Sequence, residues 1–350
     1  MLNFRNLLTV IACLLLATGA SAQVLGDPDP LFRDHAVIDI TITAPLPSLL
    51  KERPDEEYLP GTLAYSDADG SVVTLNIGIR TRGNFRRESK NCPFPPLRIN
   101  LDKAQTKGTL FRKQNKLKLV AHCRDKSERY EQGVIREYLT YRVLNALTDI
   151  SYRVRLLRVT YIDSENKHKD RVRYAFFIEH KNRLSKRIGL PGIVTPKITT
   201  SQLAGPYSDL TSLFEYFIGN TDFSPIAAAE GEDCCHNATL FGNEGEPIFA
   251  VAYDFDMSGF VDAPYAEPNP RFKISRVTQR LYRGRCAHIG NLDDSLRVFQ
   301  EKHDEIFAII ANQPELSNRT RKGVTRFVED FYNVIDDPKK LDRNIRKKCI

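Results

Sequence analysis

Two carboxylates stand two residues apart directly after an apolar stretch of the chain. Residues 248–253, IFAVAY, have the composition of a buried strand, and Asp254 and Asp256 follow them. Side chains at i and i+2 of a strand share a face, so we expect both carboxylates to point at one hard cation. Mg²⁺ takes one or two carboxylates and completes its shell with water and substrate phosphates. The spacing therefore predicts a magnesium site, against the alternative of a solvated turn after a strand.

Other polar residues lie upstream in an order that phosphoryl transfer could use. Asp222 follows a helix-like stretch, and Asn237 leads into a short strand. Phosphoryl transfer needs a carboxylate near the acceptor hydroxyl, together with an amide and a carboxylate on the metal. We therefore expect Asp222 to be a base or orienting group. Asn237 and Asp254 would hold Mg²⁺, and Asp256 is a further candidate ligand.

The first half of the chain contains residues that could bind a nucleotide. Such a site places a strand lysine on the phosphates and holds it with a glutamate of the following helix. Lys116 or Lys118 on a strand, followed by Glu137 on a helix, has this order, and the pattern leaves open which lysine faces the nucleotide. Exposed faces of a strand and a helix are the alternatives. Glu179 ends a later strand, where backbone groups could reach adenine.

These positions lie in a β-rich first half, residues 23–180, and a helix-rich second half, residues 181–350. Alternation and β-branched residues predict strands at 35–44, 61–84 (a hairpin turning at Asp69-Gly70), 95–101, 115–122, 152–163, 170–180, 236–241 and 247–254. A 3.6-residue period predicts helices at 128–147, 209–220, 293–313 and 319–336. The helix over 128–147 is inserted among the strands.

Four sets of stretches resemble the CotH spore-coat kinase family and, more distantly, HipA-type kinases. They are IRTRGNFRRES, KLKLVAHCRDKSERYEQGVIREYLTYRVLNAL, VRLLRVTYID with RYAFFIEHKNRL, and IGNTDFS with HNATLF and AVAYDFDMSG, all within about residues 75–262. The resemblance implies an α+β, bilobal, protein-kinase-like fold with a β-rich N-lobe, one inserted helix and a helix-rich C-lobe. It also implies an ATP- and Mg²⁺-dependent phosphotransferase that acts on exported proteins.

The resemblance also implies site residues. By position, Asp222 is the catalytic-loop acid, and Asn237 and Asp254 are the metal ligands. Arg82 and Gly83 would contact phosphates, since glycine lets the backbone approach and arginine binds phosphate oxygens in pairs. The sequence departs from HipA-like proteins in one place, because fourteen residues separate Asp222 from Asn237.

The N-terminus has the pattern of a secretory signal peptide. Arg5, an apolar run at 7–16 and the Ala-Ser-Ala of residues 20–22 predict cleavage after residue 22. No other stretch approaches the ~20 apolar residues of a membrane-spanning helix. We therefore expect an exported protein, periplasmic or secreted, without a transmembrane span after cleavage; an uncleaved anchor is the alternative.

Six cysteines remain after cleavage, and an even count in an exported chain predicts disulfides. We expect a Cys92–Cys123 bond. Adjacent Cys234 and Cys235 should bond to different partners, because a ring between neighbours is strained. The other pairings stay open, and reduced, buried thiols are the alternative.

Several function classes lack support in the sequence. No HExxH, GxSxG, GxGxxG or GxxxxGK[ST] motif occurs. The 51 Lys and Arg residues are scattered, and none forms an aromatic-interleaved nucleic-acid motif, so no nucleic-acid partner is expected. The first hypothesis is an exported kinase acting on a protein substrate. A non-catalytic, kinase-like envelope protein that binds a partner is the second, and a metal-dependent hydrolase the third.

Overall fold

The structure is a computed structural model that describes residues 25–350. The signal peptide predicted over residues 1–22 lies outside the described residues. Within residues 25–350, no helix is long and apolar enough to cross a membrane.

Seven strands close into a barrel. They are β1 (Ile38–Ala44), β2 (Leu59–Ser66), β3 (Val72–Thr81), β4 (Leu97–Leu101), β5 (Lys116–Val120), β6 (Val154–Asp163) and β7 (Arg171–Ile178). Their order is β1-β2-β3-β4-β5-β7-β6, and parallel pairing of β6 with β1 closes the ring. All other neighbours pair antiparallel.

The expected bilobal protein-kinase-like fold is wrong, because the sheet is a closed, mixed barrel and not an open β-rich lobe below a helical one. The sequence predicts each strand but not this closure. Local alternation shows which residues are extended, whereas the β1–β6 contact joins residues more than a hundred positions apart, such as Ile38 and Leu157. The boundaries at residues 22 and 180 stay predictions.

Alternate residues of the strands fill the barrel. Ile79, Ile99 and Leu117 are direct neighbours across β3, β4 and β5, and all three are fully buried inside it. The next residues along these strands point outward, as the two-residue period of a strand requires. Lys118 is thereby fixed on the outer face of the barrel.

Eight helices and a small sheet complete the described part of the chain. The helices are α1 (Leu46–Glu52), α2 (Glu128–Leu147), α3 (Lys181–Ile188), α4 (Gly205–Ile218), α5 (Leu292–Glu301), α6 (His303–Ala311), α7 (Asn318–Ile335) and α8 (Pro338–Asn344). The sheet has the order β10-β9-β8, with β8 (Gly192–Ile193), β9 (Ala238–Phe241) and β10 (Phe249–Ala252). The helix predicted over 128–147 is confirmed, while the one predicted over 293–313 is two helices that meet at Lys302.

A second apolar core joins α2 to the later helices. Tyr141 of α2 contacts Phe255, which in turn packs against Phe214 of α4. Phe217 of the same helix packs on Phe331 of α7. These aromatic contacts hold α2, and therefore Glu137, at a fixed distance from the β9–β10 hairpin.

Three disulfides form among the six described cysteines. The predicted Cys92–Cys123 bond is confirmed. The expectation of different partners for Cys234 and Cys235 is wrong, since these neighbours bond to each other. Cys286 bonds to Cys349 near the C-terminus. Disulfide-bonded cysteines fit an exported protein, because cytosolic reductants keep thiols reduced.

Candidate functional site

The β9–β10 hairpin places Asn237 beside Asp254. Ala238 pairs with Ala252 in the hairpin, and the backbone N–H of Tyr253 donates to the carbonyl oxygen of Asn237 at 3.0 Å. Asn237 precedes one strand and Asp254 follows the other, so the two side chains leave the same end of the hairpin. Both residues have left-handed backbones, with φ of 54° and 64°.

Asn237 also binds Asp222. Its side-chain amide donates to the carbonyl oxygen of Asp222 at 2.7 Å and to Oδ2 of its carboxylate at 3.0 Å. The ring of His236 forms a hydrogen bond with the other carboxylate oxygen of Asp222, with Nε2 2.8 Å from Oδ1. This hydrogen bond raises the pKa of His236. The backbone N–H of Asp222 donates to Oδ1 of Asn220 at 2.9 Å. Hydrogen bonds thus join Asp222 to Asn237, and the hairpin places Asp254 next to Asn237, so the three residues form one group.

Lys118 approaches this group from the barrel. Its Nζ lies 4.4 Å from the ring centre of Tyr253, the residue before Asp254. Burial, aided by the nearby positive charge of Arg82, lowers the pKa of Lys118 to about 7, while Asp254 opposes the shift. Lys116 is exposed and pairs with Asn100, two residue pairs along the strand from Lys118. The geometry therefore brings Lys118, and not Lys116, to Asp254.

Arg86 is the residue that ties the acidic side chains together, and sequence reasoning did not assign it. Its guanidinium lies 3.6 Å from Glu137 Oε2, 3.3 Å from Asp254 Oδ1 and 3.1 Å from Asp256 Oδ2. Only 7% of Arg86 is exposed. The sequence showed a basic run at 80–87, which resembles a solvated face. No feature of the sequence distinguishes Arg86 from the other arginines of this run, because its burial depends on the contact with Glu137 of α2.

Glu137 and Asp256 have roles in the structure that differ from the expected ones. Glu137 pairs with Arg86, whereas the predicted partner was the strand lysine. Asp256 is buried; it forms an ion pair with Arg86 at 3.1 Å and accepts a hydrogen bond from the hydroxyl of Tyr265 at 3.1 Å. Burial raises the pKa of both carboxyls, with Arg86 opposing the shift.

The strand argument for Asp254 and Asp256 fails, because β10 ends at Ala252. What orients the two acids is the left-handed turn at Asp254 and the guanidinium of Arg86 between them. Burial alone would raise the pKa of Asp254, but Arg86, Arg82 and Lys118 outweigh it and hold the pKa below its usual value.

The remaining candidates differ in their positions. Arg82 is close enough to Asp254 and Lys118 to affect the pKa of both. Gly83 has φ of 88° and open space where a Cβ atom would stand, so a ligand can approach its backbone from that side. Glu179 is not available in the expected way. Its backbone N–H donates to Arg153 and its buried carboxylate pairs with Arg187, at 2.8 and 2.9 Å.

The oxygen atoms near Asp254 fit Mg²⁺ better than a metal that needs many protein ligands. Within residues 25–350, no group of three or more His, Cys, Asp and Glu is arranged to hold a metal. Asp254 is one-third exposed, and one of its two carboxylate oxygens contacts Arg86. Asn237 leaves the same end of the hairpin, and the side-chain atom that it directs at Asp222 is its amide nitrogen. One carboxylate and one amide match the few protein ligands that Mg²⁺ uses with a phosphate substrate.

A groove of about 1020 Å³ opens beside Asp222 and His236. Aromatic side chains form much of its wall: Phe85, Tyr130, Tyr265 and Phe272. A side chain inserted here would meet the carboxylate of Asp222, so the groove is suited to an acceptor hydroxyl.

No protein-family model and no curated protein sequence matches the chain.

Proposed function

We propose that the chain is an exported, CotH-like phosphotransferase that moves phosphate from Mg-ATP to a hydroxyl of a protein substrate. The observation that carries the proposal is the convergence of Lys118, Asp222, Asn237 and Asp254. Lys118 comes from a barrel strand, Asp222 from a loop, and Asn237 and Asp254 from the two residues that flank the open end of the β9–β10 hairpin.

Each residue has a defined part in the proposed reaction. Asp222 orients the acceptor hydroxyl in the groove and takes its proton; each carboxylate oxygen already accepts one bond and has a further lone pair. Lys118 binds a phosphate oxygen, and a pKa of about 7 means that an approaching anion completes its protonation. Asn237 and Asp254 would hold Mg²⁺, which neutralises charge on the transferred phosphoryl group when bound.

The position of Arg86 favours a second candidate, a protein that binds an anion or a partner without catalysis. The guanidinium already neutralises Asp254 on one oxygen, so part of the charge that would attract Mg²⁺ is satisfied within the protein. Such a protein would act in the periplasm or outside the cell, as proposed for the enzyme. The two candidates differ in one measurable property: only the enzyme transfers phosphate from ATP to a protein.

The test uses the protein without residues 1–22, with Mg-ATP at millimolar concentration. Binding to the folded state alone must raise the melting temperature. We expect an increase that requires Mg²⁺ and that Asp254→Asn removes; asparagine is chosen because it tolerates the left-handed backbone. Asp330→Asn, on the exposed face of α7, is the matched control and should leave the increase unchanged.

Transfer is measured separately, with labelled ATP and a mixture of exported proteins. The kinase is supported if the unmodified protein incorporates label and Asp222→Asn abolishes this incorporation. The Asp222→Asn variant should still show the Mg-ATP-dependent increase in melting temperature. A melting shift without incorporation supports the non-catalytic candidate. An unchanged melting temperature in the unmodified protein contradicts nucleotide binding and overturns the proposed phosphotransferase.

A further inference from the structure

Three cations lie side by side on the outer face of the barrel. Arg80 of β3 is directly opposite Arg98 of β4, and Arg98 is directly opposite Lys118 of β5. Because directly opposite residues of antiparallel strands point to the same face, the three side chains form one row. Their neighbours inside the barrel are apolar, so the register cannot shift without burying these charges.

The row lacks ion-pair partners in the described part of the chain, and the nearby carboxylate of Asp254 acts on Lys118 only from beyond ion-pair distance. Within residues 25–350, none of the three cations forms an ion pair. All three residues are half-buried, and the Nε atoms of Arg80 and Arg98 are buried without a hydrogen-bond partner. The ring of Tyr58 lies 5.2 Å from the guanidinium carbon of Arg80.

Such an arrangement is unfavourable without an anion. Like charges directly opposite each other destabilise a sheet, and a buried donor without a partner loses its hydration. Burial lowers the pKa of Arg98, and the neighbouring Arg82 and Arg80 lower it further. A row of unpaired donors that costs stability in the free protein is expected where a ligand supplies the acceptors.

We propose that the row of Arg80, Arg98 and Lys118 binds a linear phosphoanhydride chain, recognised through its phosphates and not through a nucleoside. The row crosses two interstrand spacings, about 10 Å, so it matches an extended anion and not a single phosphate. Arginine can bind two phosphate oxygens at once, and lysine binds as a point charge. The chain could come from a nucleoside triphosphate or from inorganic polyphosphate.

The direction of the chain follows from the position of Lys118. This end of the row is beside Tyr253 and Asp254, whereas Arg80 lies two strands away. One end of a bound chain would therefore lie at the group of Asp222, Asn237 and Asp254. The inference rests on the proposed function only for the fate of that end; binding itself depends on the row alone.

The experiment measures the binding of tripolyphosphate, ATP and AMP by calorimetry without added acceptor. We expect tripolyphosphate to bind with an affinity within tenfold of that of ATP, and AMP at least tenfold more weakly. Arg80→Gln and Arg98→Gln should each weaken tripolyphosphate at least fivefold. Arg158→Gln, on the outer face of β6 and paired with Asp39, is the matched control and should have no effect.

The two glutamine variants should fold, because each removes one of the opposed charges. We expect the melting temperature of each, measured without anion, to equal or exceed that of the unmodified protein. If Arg98→Gln weakens the binding of tripolyphosphate, the row is supported as an anion site even if no phosphate transfer is found. If Arg80→Gln and Arg98→Gln leave the affinity for tripolyphosphate unchanged, the proposed anion site is wrong even if phosphate transfer occurs. Binding of ATP without binding of tripolyphosphate would also overturn the proposed site.

Discussion

Glu137 pairs with Arg86, at 3.6 Å between Oε2 and Nη1, and not with the strand lysine. Two buried residues far apart in the sequence thereby attach α2 to the turn after β3. The same guanidinium reaches Asp254 and Asp256, so one positive charge serves three carboxylates. This relation makes Arg86 the residue on which the geometry of the acidic group depends.

Arg86→Met should destabilise the protein by about 3–5 kcal/mol at pH 8, because it leaves buried carboxylates without a countercharge. The loss should shrink at pH 5, since burial raises the pKa of Glu137 and Asp256 and both can then be protonated. Urea unfolding at the two pH values measures it. Arg87→Met is the control; Arg87 pairs with exposed Asp55, and its loss should stay below about 1 kcal/mol. Equal losses for the two variants would contradict the role of Arg86.

The left-handed backbone of Asp254 can be tested with two substitutions that both remove the carboxylate. At φ of 64°, alanine has a clash that glycine lacks. Asp254→Ala should therefore unfold about 1 kcal/mol more easily than Asp254→Gly, despite the greater flexibility of glycine in the unfolded chain. Urea unfolding of the pair measures the difference. An alanine variant as stable as the glycine variant would show that the turn is not left-handed.

Lys118 should titrate near neutral pH. Reductive methylation with ¹³C makes each lysine visible by NMR, and one signal should have a midpoint of about 7 that Lys118→Arg removes. Asp254→Asn should lower this midpoint further, because it removes a nearby negative charge. Arg82→Gln should raise it, because it removes a positive one. A midpoint near the ordinary lysine value of 10.5 would contradict the buried position of Lys118.

Glu215, a buried residue of α4, should make stability fall as the pH rises. Burial raises its pKa to about 8, against the opposing effects of Asn220 and Arg283. An acid whose pKa is raised on folding contributes stability below its unfolded value of 4.5, and this contribution is lost as the pH rises through 8. The stability of the unmodified protein relative to Glu215→Gln should therefore fall by a few kcal/mol between pH 5 and 8.

Unfolding curves at several pH values test this expectation. Glu329→Gln, on an exposed part of α7, is the control and should follow the unmodified protein throughout. A difference between the unmodified protein and Glu215→Gln that does not change with pH would mean that Glu215 stays ionised in the folded state.

The disulfides can be mapped by digestion without reduction. Cys234 and Cys235 should appear in one peptide, lighter than its reduced form by two hydrogens, and not cross-linked to another peptide. Replacing both Cys286 and Cys349 with alanine should cost about 4 kcal/mol, because their bond spans 63 residues and restricts the unfolded chain. Urea unfolding measures the loss. Mass spectra in which Cys234 is linked to Cys92 or Cys286 would contradict the pairing.

The sequence alone predicted most elements and many of the residues in the site. The predicted helix over 128–147 and the strands of the barrel are present, because hydrophobic periodicity depends on near neighbours. It also selected Asp222, Asn237 and Asp254, because each of these polar residues lies next to the end of an apolar helix or strand. It did not reveal Arg86, because a guanidinium in a basic run looks the same whether it is exposed or buried.

Tertiary structure decided the rest. The parallel contact of β1 with β6 made a closed barrel where an open sheet was expected, because pairing between distant strands depends on the whole core and not on local pattern. The packing of α2 placed Glu137 in an ion pair with Arg86. The register of the strands aligned Arg80, Arg98 and Lys118 on one face. Which residues are extended is a local property of the chain, whereas which charges meet is set only when the chain has folded.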